Sequence, residues 1–145
     1  MTDDAALPFF VYGTLRRGQR NHGRYLHGHC ERVEPAELAG AALYEGPGYP
    51  YAVADPDPGR RVRGELVTVR AGDFAQVLAE LDELEGCRPD GRGLYVRRPL
   101  PVTASLAAPG TARVTAWVYL AGPDLTTRLR ATDPVLIPSG DWTAR

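Results

Sequence analysis

The chain has 145 residues, 17 basic and 18 acidic side chains and a formal charge of -1, with 43% hydrophobic and 24% charged residues. That length suits one domain spanning residues 1–145, and the apolar fraction is too high for a disordered chain. Near-neutral charge supplies no basic field for phosphates, which argues against a dedicated nucleic-acid binder.

The 16 glycines and 13 prolines punctuate the chain into short segments. Leu7 to Tyr12 is an apolar, aromatic run closed by Gly13, the pattern of a buried strand entering a turn. Arg16 to Arg24 is polar and reads as loop. Leu38 to Tyr44 reads as a second strand, ended by Glu45-Gly46-Pro47-Gly48, and Tyr49 to Ala54 as a third, stopped by Asp55-Pro56-Asp57-Pro58-Gly59. Arg61 to Val69 alternates apolar and polar residues, as a strand with one wet face does.

Phe74, Val77, Leu78, Leu81 and Leu84 then recur at helical spacing and predict a helix over about 73–85. Asp73 and Gln76 have the spacing of a capping box, and Gly86 stands where a left-handed residue ends a helix. Gly93 to Ala104 and Ala112 to Leu120 read as two long strands joined by a turn around Pro109-Gly110. These elements predict an α+β fold whose short strands form a mixed sheet curling toward a barrel.

One residue breaks the helical pattern. At about 100° per residue, Glu85 falls within about 20° of Leu78 and Phe74 on the wheel, so a carboxylate sits on the apolar stripe. Two readings stand: a fraying last turn that releases the side chain into water, or a functional acid or base. Burial and the negative helix end would both raise its pKa toward neutrality, where a general base works best. Glu80, Asp82 and Glu83 point elsewhere and read as a solvated face. A second candidate is the turn Tyr12-Gly13-Thr14-Leu15-Arg16, whose successive N–H groups could hold a carboxylate or oxyanion. A side chain added at Gly13 is expected to intrude on that ligand.

Several chemistries are disfavoured. All 17 basic residues are Arg, which removes Schiff-base and P-loop lysines. Ser105 and Ser139 are the only serines, and neither lies in a G-x-S-x-G elbow. Cys30 and Cys87 have no paired spacing, which argues against a disulfide framework or zinc ribbon and fits reduced thiols. His27, His29 and Cys30 match no structural zinc pattern, so no metal site and no cofactor is expected. Arg60, Arg61 and Arg63 read as a solvated strand edge, while Arg16, Arg17, Arg20 and Arg24 are better placed to touch an acidic substrate tail. Trp117 and Trp142 read as packing residues. No apolar run reaches the roughly 18 residues of a membrane span, and Met1-Thr2-Asp3-Asp4 lacks the basic start of a signal peptide, so a cytoplasmic location is expected.

Phe10-Val11-Tyr12-Gly13-Thr14-Leu15-Arg16 resembles the N-terminal signature of the gamma-glutamylcyclotransferase-like superfamily. Leu81-Asp82-Glu83-Leu84-Glu85-Gly86 and the following Leu94-Tyr95-Val96-Arg97 are similar to that family's acidic helix end and tyrosine strand. Ala116-Trp117-Val118-Tyr119 and Ser139-Gly140-Asp141-Trp142 extend the resemblance over roughly residues 8 to 142. It implies a small mixed β-barrel of five to seven strands with one main helix, short flanking helices and a pocket at the barrel mouth. It also implies release of 5-oxoproline from a γ-glutamyl amide, with Glu85 as general base, Tyr12, Gly13, Thr14 and Leu15 cradling the glutamyl end, and Tyr95 and Tyr119 lining the pocket. The partner implied is a small γ-glutamyl substrate, for a monomer or homodimer. The alternative is a member of the same fold that binds a small carboxylate without turnover. Arg88-Pro89-Asp90-Gly91-Arg92, next to Glu85, is expected to shape the leaving-group side.

Overall fold

The computed structural model describes residues 6–88, 90–105 and 110–145. Seven strands and three helices follow in the order β1 (Phe9–Val11), α1 (His22–Tyr25), β2 (Cys30–Ala39), β3 (Ala41–Tyr44), β4 (Tyr51–Ala54), β5 (Arg61–Val69), α2 (Phe74–Leu84), β6 (Tyr95–Ser105), β7 (Thr111–Ala121) and α3 (Pro123–Ala131). Single 3₁₀ turns precede α2 and close the chain at Trp142–Ala144. Five strands close a barrel in the order β1-β5-β2-β6-β7, and β3 and β4 pair as a separate hairpin. The α+β barrel with one main helix is therefore the observed architecture.

Closure depends on β1, which pairs antiparallel with β5 (Phe10 opposite Leu66) and parallel with β7 (Phe10 opposite Val118). The alternation of each strand divides the apolar residues between two faces. Phe10, Leu38, Val62, Leu66, Val102 and Val118 form one cluster. Phe9, Val11, Val67, Val69 and Trp117 pack instead with Phe74, Val77, Leu78 and Leu81 of α2. A helix cannot lie within so small a barrel, so the first cluster fills the interior and the second joins the outer wall to α2.

The structure changes four local expectations. Leu38 to Tyr44 is not one strand: Gly40, at φ +75°, turns the chain so that β2 ends at Ala39 and β3 begins at Ala41. The long β2 is hidden in the sequence because Glu31, Arg32, Glu34, Pro35 and Glu37 obscure its pattern. Pro35 lies just before the two-residue contact with β6, at Ala36 and Glu37, so its missing N–H breaks no ladder there. The loop Arg16 to Arg24 carries the single-turn α1. The capping box does not form: Asp73 gives no cap hydrogen bond and instead accepts from His29 Nδ1 at 3.1 Å.

Residues 106–109 of the β6–β7 turn lie outside the described part, so the turn expected around Pro109-Gly110 is described at Gly110 alone. Among the described residues, no helix is long and apolar enough to cross a membrane.

Candidate active site

The parallel pairing of β1 with β7 decides where the candidate residues meet. It brings the C-terminal ends of β1 and β7 to the same end of the barrel, and the β6–β7 register, with Tyr95 opposite Ala121, adds the start of β6. Tyr12, Tyr119 and Tyr95 therefore converge there, although they lie far apart in the sequence. Tyr12 Oη donates to the carbonyl of Tyr119, which ties the loop after β1 to β7. Tyr95 Oη donates to the Pro50 carbonyl at 2.7 Å, which fixes the segment leading into β4.

Helix α2 delivers Glu85 to this end. The helix stops in a Schellman arrangement: Gly86 N–H donates to Glu83 O at 3.1 Å and Cys87 N–H to Asp82 O at 2.9 Å. Gly86 takes φ +67°, the left-handed geometry that this ending requires. Glu85 is thus held at the helix terminus by its own N–H bond to Leu81 O at 2.9 Å, and it does not fray. It is half-buried, whereas Glu83 on another face is exposed.

A cavity of about 230 Å³ opens at this barrel end. Its lining brings together Tyr12, Gly13, Thr14, Leu15, Glu85, Tyr95 and Tyr119, with Arg20, Asn21, Tyr49, Pro50 and Leu94 among the other walls. The loop that enters it is ordered by its own bonds. Arg16 N–H donates to Gly13 O at 3.1 Å, Asn21 N–H to Thr14 O at 2.9 Å, and Asn21 Nδ2 to Thr14 Oγ1 at 2.9 Å. Among the described residues, the N–H groups of Gly13, Thr14 and Leu15 have no acceptor.

Electrostatics follow from burial. Loss of hydration pushes the Glu85 carboxyl up from 4.5 to about 7, which poises it between acid and base near neutral pH. Tyr12 and Tyr95 are raised well above the usual phenol value by burial, with the Glu85 charge adding to both. They stay protonated and act as hydrogen-bond donors. Burial also pushes the Cys87 thiol to about 12, with Asp82 and Glu85 contributing, so Cys87 stays a thiol near neutral pH.

Asp82 does not belong to a solvated face. Its carboxylate accepts from Arg97 Nε and Nη2 at 2.9 and 3.1 Å and from Tyr119 Oη at 2.7 Å, and Arg97 lies over the Trp117 ring at 4.3 Å. This network clamps the last turn of α2 onto β6 and β7, one turn before Glu85. No local pattern announces it, because its partners lie 15 and 37 residues away.

Of the four arginines near the loop, Arg20 lines the cavity. Arg16 is committed to Asp141 at 2.8 Å, and Arg24 lies over the Tyr25 ring. Arg60, Arg61 and Arg63 face Asp55 and Glu37 in a separate cleft. The segment 88–92 does not reach the cavity in its described residues: Arg88 pairs with Asp90 at 3.1 Å, and Leu94 supplies that wall instead. Pro89 lies outside the described residues. Cys30 Sγ donates to Leu26 O, and among the described residues no group of three or more metal-ligating side chains is gathered. The sequence marks Tyr49 and Pro50 as cavity residues only by an aromatic-proline pair directly after a glycine turn.

The sequence profile described as "Gamma-glutamyl cyclotransferase, AIG2-like" matches residues 9–144. The chain belongs to this family. The gamma-glutamylaminecyclotransferase of Bos taurus is 35% identical over 113 residues, covering 70% of this chain and 61% of the bovine protein. An Arabidopsis thaliana relative is 34% identical over 113 residues, 72% of this chain and 56% of the relative. The chain thus spans less than two thirds of the length of these curated relatives. Among solved structures, a mouse AIG2-like protein superposes with a TM-score of 0.60 at 30% identity, over 83% of this chain and 82% of that one. Escherichia coli ytfP superposes with a TM-score of 0.59 at 26% identity, over 96% and 98%.

Gly13 packs closely against Pro50. A Cβ there would stand 2.8 Å from Pro50 Cδ and 3.0 Å from Cγ, so the added group strikes the cavity wall before it meets a ligand. Gly13→Ala is expected to cost about 1 to 3 kcal/mol by overpacking, and to lower the Tm by about 3 to 8 °C, together with any loss of activity. An unchanged Tm would show that Pro50 moves aside freely.

Proposed function

We propose that this protein is a γ-glutamyl cyclotransferase that releases 5-oxoproline from a small γ-glutamyl amine or peptide, with Glu85 as general base. The observation that carries this reading is a half-buried carboxyl, poised near pH 7, in one cavity with the loop residues Gly13, Thr14 and Leu15. Membership of the cyclotransferase family supports the reaction class.

The chemistry requires a base, an oxyanion site and a way to fold the substrate. Glu85 takes a proton from the α-ammonium, and the freed amine attacks the γ-carbonyl carbon of the same molecule. A new C–N bond closes the five-membered ring, and the carbonyl oxygen takes up negative charge. The old C–N bond then breaks as protonated Glu85 returns its proton to the departing amine, and the ring nitrogen passes its second proton by way of Glu85 to that amine, which leaves as an ammonium. The N–H groups of Gly13, Thr14 and Leu15 hold the glutamyl carboxylate or the developing oxyanion. Tyr49, Pro50 and Tyr95 close the wall against which the glutamyl arm bends. Bringing amine and carbonyl together within one molecule can reach effective molarities of about 10⁵ to 10⁸ M.

A site built only to hold a carboxylate would gain nothing from a second carboxyl buried within it, since the like charge repels the ligand. Glu85 therefore favours turnover over simple binding. Activity should follow the ionisation of Glu85: kcat/KM is expected to fall about tenfold per pH unit below about 7 and to level off above it, because the base works only when deprotonated. Product analysis of a panel of γ-glutamyl dipeptides and amines tests the reading itself. Release of 5-oxoproline from at least one member is expected, and none from any member would overturn it.

A further inference from the structure

The cavity has two charged walls of opposite sign. Among its lining residues, Glu85 and Arg20 carry the charges, and the rest are apolar, aromatic or neutral. Arg20 is exposed on the loop between Leu15 and α1. Its Nη2 donates to Gly48 O at 2.8 Å, which fastens the guanidinium beside the turn before Tyr49. No carboxylate of the described residues pairs with it, in contrast to Arg16 on Asp141 and Arg97 on Asp82. A guanidinium has five N–H donors, so most remain for a ligand.

The two charges differ in depth: Glu85 is half-buried at the end of α2, whereas Arg20 is exposed. Glu85 marks the inner part of the cavity, and exposed Arg20 marks its mouth. If the glutamyl amine must meet Glu85, the glutamyl half occupies the inner part and the departing amine projects toward the mouth.

We propose that Arg20 is a specificity residue that receives a carboxylate on the leaving amine, so that γ-glutamyl derivatives of amino acids are preferred over those of neutral or purely cationic amines. This rests on the cyclotransferase reading above. An arginine fork binds a carboxylate through two parallel hydrogen bonds, a geometry that neither an ammonium nor an alkyl group can satisfy.

Matched substrates test it: γ-glutamylalanine against γ-glutamylethylamine, and ε-(γ-glutamyl)lysine against γ-glutamyl-1,5-diaminopentane, each pair differing by one carboxylate. The wild type is expected to prefer the carboxylate member of at least one pair by about tenfold in kcat/KM, expressed mainly in KM. Arg20→Gln should collapse that ratio toward one, and Arg20→Lys should restore part of it. Thermal midpoints of both variants check that the loop still folds. A wild type indifferent to the carboxylate in both pairs, or a ratio that survives Arg20→Gln, would overturn the inference while 5-oxoproline release still stood. Failure to form 5-oxoproline from all four compounds would overturn the cyclotransferase reading, and this inference with it.

Discussion

Glu85→Gln is expected to lower kcat/KM for 5-oxoproline release by about 10²- to 10⁴-fold with the fold intact, the usual contribution of a general base. Glutamine keeps the shape and hydrogen-bonding reach of the side chain but cannot carry a proton from the ammonium to the departing amine. The loss should therefore appear in kcat, with KM little changed. Glu83→Gln is the control, because Glu83 is exposed on another face of α2. Stability should move the other way. The Glu85 carboxyl is raised from 4.5 to about 7 in the folded state, so its favourable effect is full below pH 4.5 and lost as the pH rises through 7. Above that pH the fold holds a poorly hydrated carboxylate, and Glu85→Gln relieves it. At pH 8 the variant should melt about 3 °C higher than the wild type, and near pH 4.5 the difference should vanish. More than about a tenth of wild-type activity in Glu85→Gln, or an equal loss in Glu83→Gln, would remove Glu85 as the base.

Gly93→Ala should be among the most damaging single methyl additions in the chain. A Cβ at Gly93 would stand 1.9 Å from Gly86 O and 3.0 Å from Arg88 N, both main-chain atoms that cannot swing aside. Gly122 packs on the other side, where its own Cβ would stand 2.2 Å from Gly93 O. Three glycine backbones thus stack directly behind the turn that presents Glu85. We expect a loss of about 2 to 4 kcal/mol and a Tm lower by about 5 to 15 °C, with activity falling beyond what unfolding explains because the Glu85 turn must move. Gly72→Ala, with nothing within 4 Å of the new methyl, is the control and should be close to silent. Thermal melts and activity measured well below the midpoint distinguish the two effects.

The parts of this molecule legible in the sequence are those that local periodicity encodes. The stripe of α2 predicts the helix and isolates Glu85 as a residue out of place, and the structure puts that carboxyl in the cavity. β5 matches its alternating pattern from Arg61 to Val69. β2 was illegible because its polar residues mask the alternation, and its partners are chosen by long-range pairing with β5. α3 has no apolar stripe to reveal it, since Leu125 is its one buried residue, and Gly122-Pro123-Asp124 carries only the proline signal of a helix start. In the site, the Tyr12 loop and Glu85 were readable as motifs. The network of Asp82 with Arg97 and Tyr119 was not, because nothing within one turn of Asp82 reveals a partner on another strand. Arg16 looked equivalent to Arg20 in the sequence, and its contact with Asp141, 125 residues away, removes it from the cavity.

In the proposed mechanism the substrate's own amine, and not water, breaks the γ-glutamyl bond. Turnover of a γ-glutamyl substrate in ¹⁸O-enriched water, followed by mass spectrometry of the products, distinguishes the two nucleophiles. Intramolecular attack predicts 5-oxoproline and free amine with no ¹⁸O in the ring carbonyl. Free glutamate carrying ¹⁸O in its γ-carboxylate, in place of 5-oxoproline, would mean that water is the nucleophile and would contradict the mechanism.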